Sequence, residues 1–136
     1  MAYARAYNRA SEQTISNDTL TKILIDTPAG DPNGFFSQAN LGFAVPTGFA
    51  GLYVVQVTGF WEASTDDEIS LRQVEIRSGN YPIGGDTKLA QPAMASWVSV
   101  VASAVFNVGD VITVYGKQTS GMPLKFRQAA VLMFAP

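Results

Sequence analysis

Residues Phe43 to Val57 read FAVPTGFAGLYVVQV, and the fold class is decided there. An apolar run stops at Pro46, passes Gly48 and resumes at Gly51 as Gly51-Leu52-Tyr53. Proline cannot donate to a strand ladder and glycine allows a tight corner, so the pattern ends one strand and kinks the chain into the next. Side chains alternate along a strand. Tyr53, Val55, Val57 and Trp61 therefore share one face, with Gly59 making room among them. Leu52, Val54, Gln56, Thr58 and Phe60 share the other. Both faces are substantially apolar, which fits a strand covered on two sides; in a small sandwich the second cover is often another subunit.

The same period of two runs through most of the chain, and no apolar run keeps helical spacing. Strands are expected at 14–16, 21–26, 41–45, 52–62, 68–77, 87–90, 97–106, 111–117 and 124–134. Asn17-Asp18, residues 28–34, Ser78-Gly79-Asn80, Gly84-Gly85-Asp86, Gly109-Asp110 and Ser120-Gly121 supply turn chemistry between them. Short strands with turns at intervals of roughly 8–12 residues predict an all-β single jelly-roll β-sandwich of about eight to ten antiparallel strands. The jelly-roll domain is assigned to residues 13–136, behind a short N-terminal arm at 1–12.

Two later strands repeat the double apolar pattern. In 97–106 the even positions Val98, Val100, Ala102, Ala104 and Phe106 form a core row, leaving Trp97, Val101 and Val105 on the reverse. In 124–134, Leu124, Phe126, Ala130, Leu132 and Phe134 are expected inside, with Val131 and Met133 outside. Phe60, Trp97, Val101, Val131 and Met133 are thus the candidates for an interface between subunits.

At 136 residues and 47% hydrophobic composition the chain can bury one core. Its net charge is −2, from 9 basic and 11 acidic residues mixed along the sequence, so no nucleic-acid partner is expected. It contains no cysteine and no histidine. That removes disulfides, thiolate and imidazole metal sites, and every catalytic triad or dyad using either residue. The uncharged stretches 32–61 and 89–109 are interrupted by proline, glycine and polar residues and do not read as membrane spans. Residues 1–7 lack a signal-peptide pattern, giving an expectation of synthesis in a cytoplasm.

Several residues carry the resemblance to a known family. Phe36, Asn40, Phe43, Pro46 and Gly51-Leu52-Tyr53 resemble the central signature of the complement and tumour-necrosis-factor superfamily of trimeric jelly rolls. Residues 72–79, RQVEIRSG, look like the mid-domain strand and turn of its bacterial and phage members. Residues 106–112, FNVGDVI, look like its late Gly-Asp corner. The resemblance spans roughly residues 13–134 and implies a homotrimer. The sequence departs from the secreted animal members in having no collagen-like stalk and no cysteine. It is more similar to heads built into bacteriophage virions, which implies a non-enzymatic capsid decoration protein attached to the major capsid protein or another virion protein. A fibre tip that reads a host-surface glycan or protein is the alternative.

Few residues offer chemistry. Asp66-Asp67-Glu68 is the densest acidic run and reads as a solvated loop rather than an acid-base pair. Asp26, Asp31 and Asn33 could supply oxygen to calcium, but the spacing favours a turn, and no metal or cofactor is expected. Gly79, Gly84 and Gly85 lack the Lys-Ser/Thr of a phosphate loop. Tyr81, in Gly79-Asn80-Tyr81-Pro82, is the candidate surface-binding aromatic. Tyr3, Arg5, Tyr7 and Arg9 are assigned to a shell-attachment arm, with tyrosine and arginine as anchors.

Overall fold

The computed structural model describes residues 2–7, 12–65 and 69–136. Among them twelve strands form two six-stranded antiparallel sheets, with no helix. The strands are β1 (Tyr3–Tyr7), β2 (Gln13–Ile15), β3 (Thr21–Ile23), β4 (Thr27–Gly30), β5 (Phe36–Ser37), β6 (Gly42–Ala44), β7 (Gly51–Trp61), β8 (Ser70–Ser78), β9 (Tyr81–Ala90), β10 (Ser96–Phe106), β11 (Val111–Gln118) and β12 (Leu124–Phe134). The first sheet runs β10-β7-β12-β1-β4, with β2 also on β12; the second runs β5-β6-β11-β8-β9, with β3 also on β11. This is the expected jelly-roll sandwich, carried by more strands than the sequence indicated.

The opening stretch crosses between the sheets. β6 pairs with β11 in the second sheet, and Val45 continues the path by donating its N–H to the Asp110 carbonyl and accepting from Gly109 N–H. After Pro46 the chain turns through Gly48, whose φ of 88° lies in the left-handed region that glycine adopts without strain. β7 then begins in the first sheet. The Gly-Asp corner thus braces the proline corner. Asp110 also folds back on its own loop, its carboxylate accepting the Asn107 N–H at 2.7 Å.

Tyr53 locks the kink. Its hydroxyl donates to the Phe49 carbonyl at 2.8 Å, and its ring meets Phe35 edge-on at 5.5 Å. Burial raises the phenol above its ordinary value. The fold holds the neutral phenol, so its contribution is complete below the unfolded pKa of about 10 and is lost as pH rises through the folded value. Tyr53→Phe is expected to lower stability by about 1 kcal/mol near neutrality, the usual net value of one hydrogen bond. It should also flatten the alkaline limb of a urea-midpoint series; an unchanged limb would show that Tyr53 does not govern it.

The core lies between the sheets. From the first come Ala4, Ala6, Val55, Val57, Trp61, Val98, Val100, Phe126, Val131 and Met133; from the second, Phe43, Val74, Ile76, Ile112 and Val114. Trp61 meets Phe126 edge-on at 5.0 Å, and Gly116 opposes it, where an added Cβ would sit 3.1 Å from the indole.

Three sequence expectations are corrected. Residues 3–7 are not an arm without a partner strand: β1 lies inside the first sheet, with Tyr3–Tyr7 opposite Phe134–Ala130 of β12 and β4 on its other side. Ala-x-Ala carries too little hydrophobic signal to mark a strand, yet only small side chains are needed where Ala4 and Ala6 are fully buried. Gly84-Gly85-Asp86 is not a turn but the middle of β9. An added Cβ on Gly84 would lie 2.8 Å from the Ala102 Cβ, so glycine serves the close approach of the two sheets.

The third correction concerns β12. Register shifts between Phe126 and Gln128, a β-bulge that reverses which face each later side chain takes. Leu124 and Phe126 point inward as expected, but beyond the bulge the buried residues are Ala129, Val131 and Met133. Val131 and Met133 are therefore intrachain core and not interface candidates. Ala130, Leu132 and Phe134 are only partly buried.

Candidate functional site

The outer face of the first sheet gathers most of the sequence-predicted interaction residues. Adjacent strands place Val101, Gln56, Leu132 and Arg5 in one lateral row. Ser99, Thr58, Ala130 and Tyr7 form the row on one side, and Ser103, Val54, Phe134 and Tyr3 the row on the other. Apolar side chains dominate and many are open to solvent: Leu52 is 52% exposed, Trp97 51%, Val101 64% and Val105 71%. Phe60 stacks on Trp97 with ring centroids 4.5 Å apart, so the two candidates from neighbouring strands form one aromatic slab.

This face has shape as well as apolarity. A hollow of about 160 Å³ is lined by Arg5, Tyr7, Gln56, Thr58, Ala130, Val131 and Leu132. A shallower one of about 490 Å³ is lined by Tyr3, Arg5, Leu132 and Phe134. Arg5 borders both. Below the bulge, Arg127 bridges Glu12 and Glu62, and Lys125 pairs with Glu12 at 3.1 Å. The Lys125 hydrogen bond is the main cause holding the Glu12 carboxyl below its ordinary range.

The other candidates disperse. Tyr81 is 78% exposed and stands in the β8–β9 hairpin, at the far end of the sandwich from the Phe60–Trp97 slab. Asp31 uses both carboxylate oxygens on its own loop, accepting from Phe35 N–H at 2.8 Å and Phe36 N–H at 2.6 Å. Asp26 accepts from the Thr27 hydroxyl. The first two bonds explain Asp31 as a turn residue, and among the described residues no group of three acidic, histidine or cysteine side chains could hold a metal. Arg9 and the Asp66-Asp67-Glu68 run lie outside the described residues.

Sequence reasoning missed Leu132, Phe134 and the β1 side chains as parts of this face. The bulge hid the first two, since residues 129–134 are apolar at every position and cannot report parity. It also missed Arg72, which is fully buried on β8. One terminal nitrogen of Arg72 donates to Ser70 Oγ at 2.8 Å and to the Leu71 carbonyl at 2.9 Å, and burial lowers its pKa.

No family model matches the chain. A stretch of 87 residues, 64% of the chain, is 34% identical to the magnetosome formation protease MamE of Paramagnetospirillum magneticum; the chain spans 11% of that protein's length. Solved structures are similar over nearly the whole chain. The PRD1 vertex protein P5 superposes with a TM-score of 0.69 at 15% identity, covering 97% of this chain and 94% of that one. Murine APRIL gives 0.66 at 11%, covering 98% and 99%. The globular domain of zebrafish complement 1qA gives 0.54 at 16%, covering 98% and 96%. The chain therefore has a jelly-roll fold like that of these solved structures, the complement globular domain and the vertex protein among them.

Proposed function

We propose that the chain is a non-enzymatic virion structural protein that associates with itself as a homotrimer and decorates a phage shell. The observation that carries this reading is the outer face of the first sheet. A contiguous face with Trp97, Val101, Val105 and Leu52 each half or more exposed is unusual for a monomer and normal for a surface that another subunit covers. The fold shared with a vertex protein supports a place in a virion. The match to a protease covers a small part of that enzyme, and a chain without histidine or cysteine brings no catalytic group of either kind.

Attachment to the shell is assigned to loops at one end of the sandwich rather than to a free arm, because β1 is held in the sheet on both sides. A second reading, the fibre-tip module, draws on Tyr81, whose exposed ring is suited to stacking on a sugar.

Val101→Glu tests the self-association reading. Val101 is 64% exposed, so the fold should tolerate the change. A carboxylate set among the exposed apolar side chains here must lose its water when the face is covered, which should weaken association at least about a hundredfold, roughly 2.7 kcal/mol. Sedimentation equilibrium should show a wild-type trimer at micromolar concentration and a folded Val101→Glu monomer. A wild-type monomer, or an undiminished trimer in the variant, would remove this face as the interface.

A further inference from the structure

We propose that the hollow beside Arg5 binds a small oxoanion of the phosphate or sulfate class, and that this anion is what allows the face to be covered by further copies. The inference rests on the self-association reading and concerns a charge that the reading leaves unresolved. Arg5 sits in the middle row of the face, beside Leu132 on β12 and opposite Gly30 on β4, and the other side chains of its row, Leu132, Gln56 and Val101, carry no charge. Among the described residues no carboxylate lies within ion-pair distance of it. The cations on the neighbouring part of the sheet, Lys125 and Arg127, are already paired with Glu12 and Glu62. Asp26, at the entry to β4, accepts from the Thr27 hydroxyl.

Covering this face strips water from Arg5, and a desolvated charge without a counter-charge opposes assembly. Where assembly brings the Arg5 side chains of several copies together, the repulsion grows with each copy added. A counter-charge from solution resolves this, and the hollow has the chemistry to hold one. Arg5 supplies a planar guanidinium able to donate to two oxygens at once. Gln56 and Thr58 line the same space with amide and hydroxyl groups, beside the aliphatic side chains of Ala130 and Leu132. About 160 Å³ is ample for a tetrahedral oxoanion. Chloride, a single point charge, cannot use the guanidinium fork in the same way.

The experiment is sedimentation equilibrium of the full chain in inorganic phosphate, in sulfate and in chloride, at a matched ionic strength of about 0.15 M to equalise screening. A ligand bound in the assembled state shifts association by mass action, so the trimer should tighten at least about tenfold in phosphate and sulfate, and the gain should saturate. Arg5→Met, checked for folding by circular dichroism, should associate in chloride at least as tightly as wild type and show no saturable response to phosphate. Arg5→Gln provides a polar control and should likewise lose the response. A wild-type trimer equally tight in all three salts would overturn the inference while leaving self-association intact. Arg5→Met that folds but fails to trimerise would also overturn it, because Arg5 would then be pairing with a carboxylate of the neighbouring copy. A wild-type monomer in every salt would remove the self-association reading and the inference together.

Discussion

Deletion of residues 2–7 is expected to abolish cooperative folding rather than leave a head lacking an attachment device. β1 is hydrogen-bonded along both edges, to β12 and to β4, so its removal opens the end of β12 and leaves β4 without its partner in the sheet. Ala4 and Ala6 are fully buried, and their loss exposes the inner faces of Val131 and Met133. Ladder hydrogen bonds contribute roughly 1 kcal/mol each, and the exposed apolar surface adds to their loss. Together these losses rival the total stability of about 5–15 kcal/mol typical of a domain. Circular dichroism melts and urea titrations should show a broad, non-cooperative transition or an insoluble product. A deletion variant with a wild-type midpoint would restore the picture of a detachable arm, and with it a role for Tyr3, Arg5 and Tyr7 in docking.

The parts of the fold that were legible in the sequence are those where period two coincided with punctuation. β7 could be read because Pro46 and Gly51 mark its entry and because Tyr53, Val55, Val57 and Trp61 keep strict alternation; all four are buried. β10 and β11 could be read for the same reason, with Gly109-Asp110 between them. β4 and β5 could not: Thr27–Gly30 and Phe36–Ser37 are short, and their residues carry turn chemistry. Short edge segments are fixed by the strands they join, β1 and β6, rather than by their own propensity.

The candidate face was legible on β7 and β10 and illegible on β1 and β12. Trp97 and Val101 alternate with a clear core row, so their outward direction followed from parity. Tyr3, Arg5 and Tyr7 alternate with alanines, which report neither a core nor a surface. On β12 the reading failed for another reason: a bulge adds one residue to one strand of a ladder, and period two carries no record of it unless both faces differ in polarity. Arg127 and Gln128 interrupt the apolar run at that point. Two consecutive long polar residues inside a strand were the available signal.

That bulge gives the second large expected effect, a contrast between adjacent residues. Met133 is fully buried between the sheets, and truncation there removes transfer energy and leaves a cavity, so Met133→Ala should cost about 2–5 kcal/mol. Leu132 faces outward beside Arg5 and Gln56. In an isolated subunit Leu132→Ala should cost no more than about 0.5 kcal/mol, as for an ordinary surface substitution. Urea unfolding at protein concentrations low enough to hold the monomer separates the two, because neither value then contains a contribution from association. At higher concentration the order of effects on assembly should reverse, with Leu132→Ala weakening the trimer directly and Met133→Ala acting only through the fraction folded. Equal stability costs at the two positions, or a larger one at Leu132, would mean that β12 runs without the bulge; Val131 and Met133 would then return to the interface and Phe134 to the core.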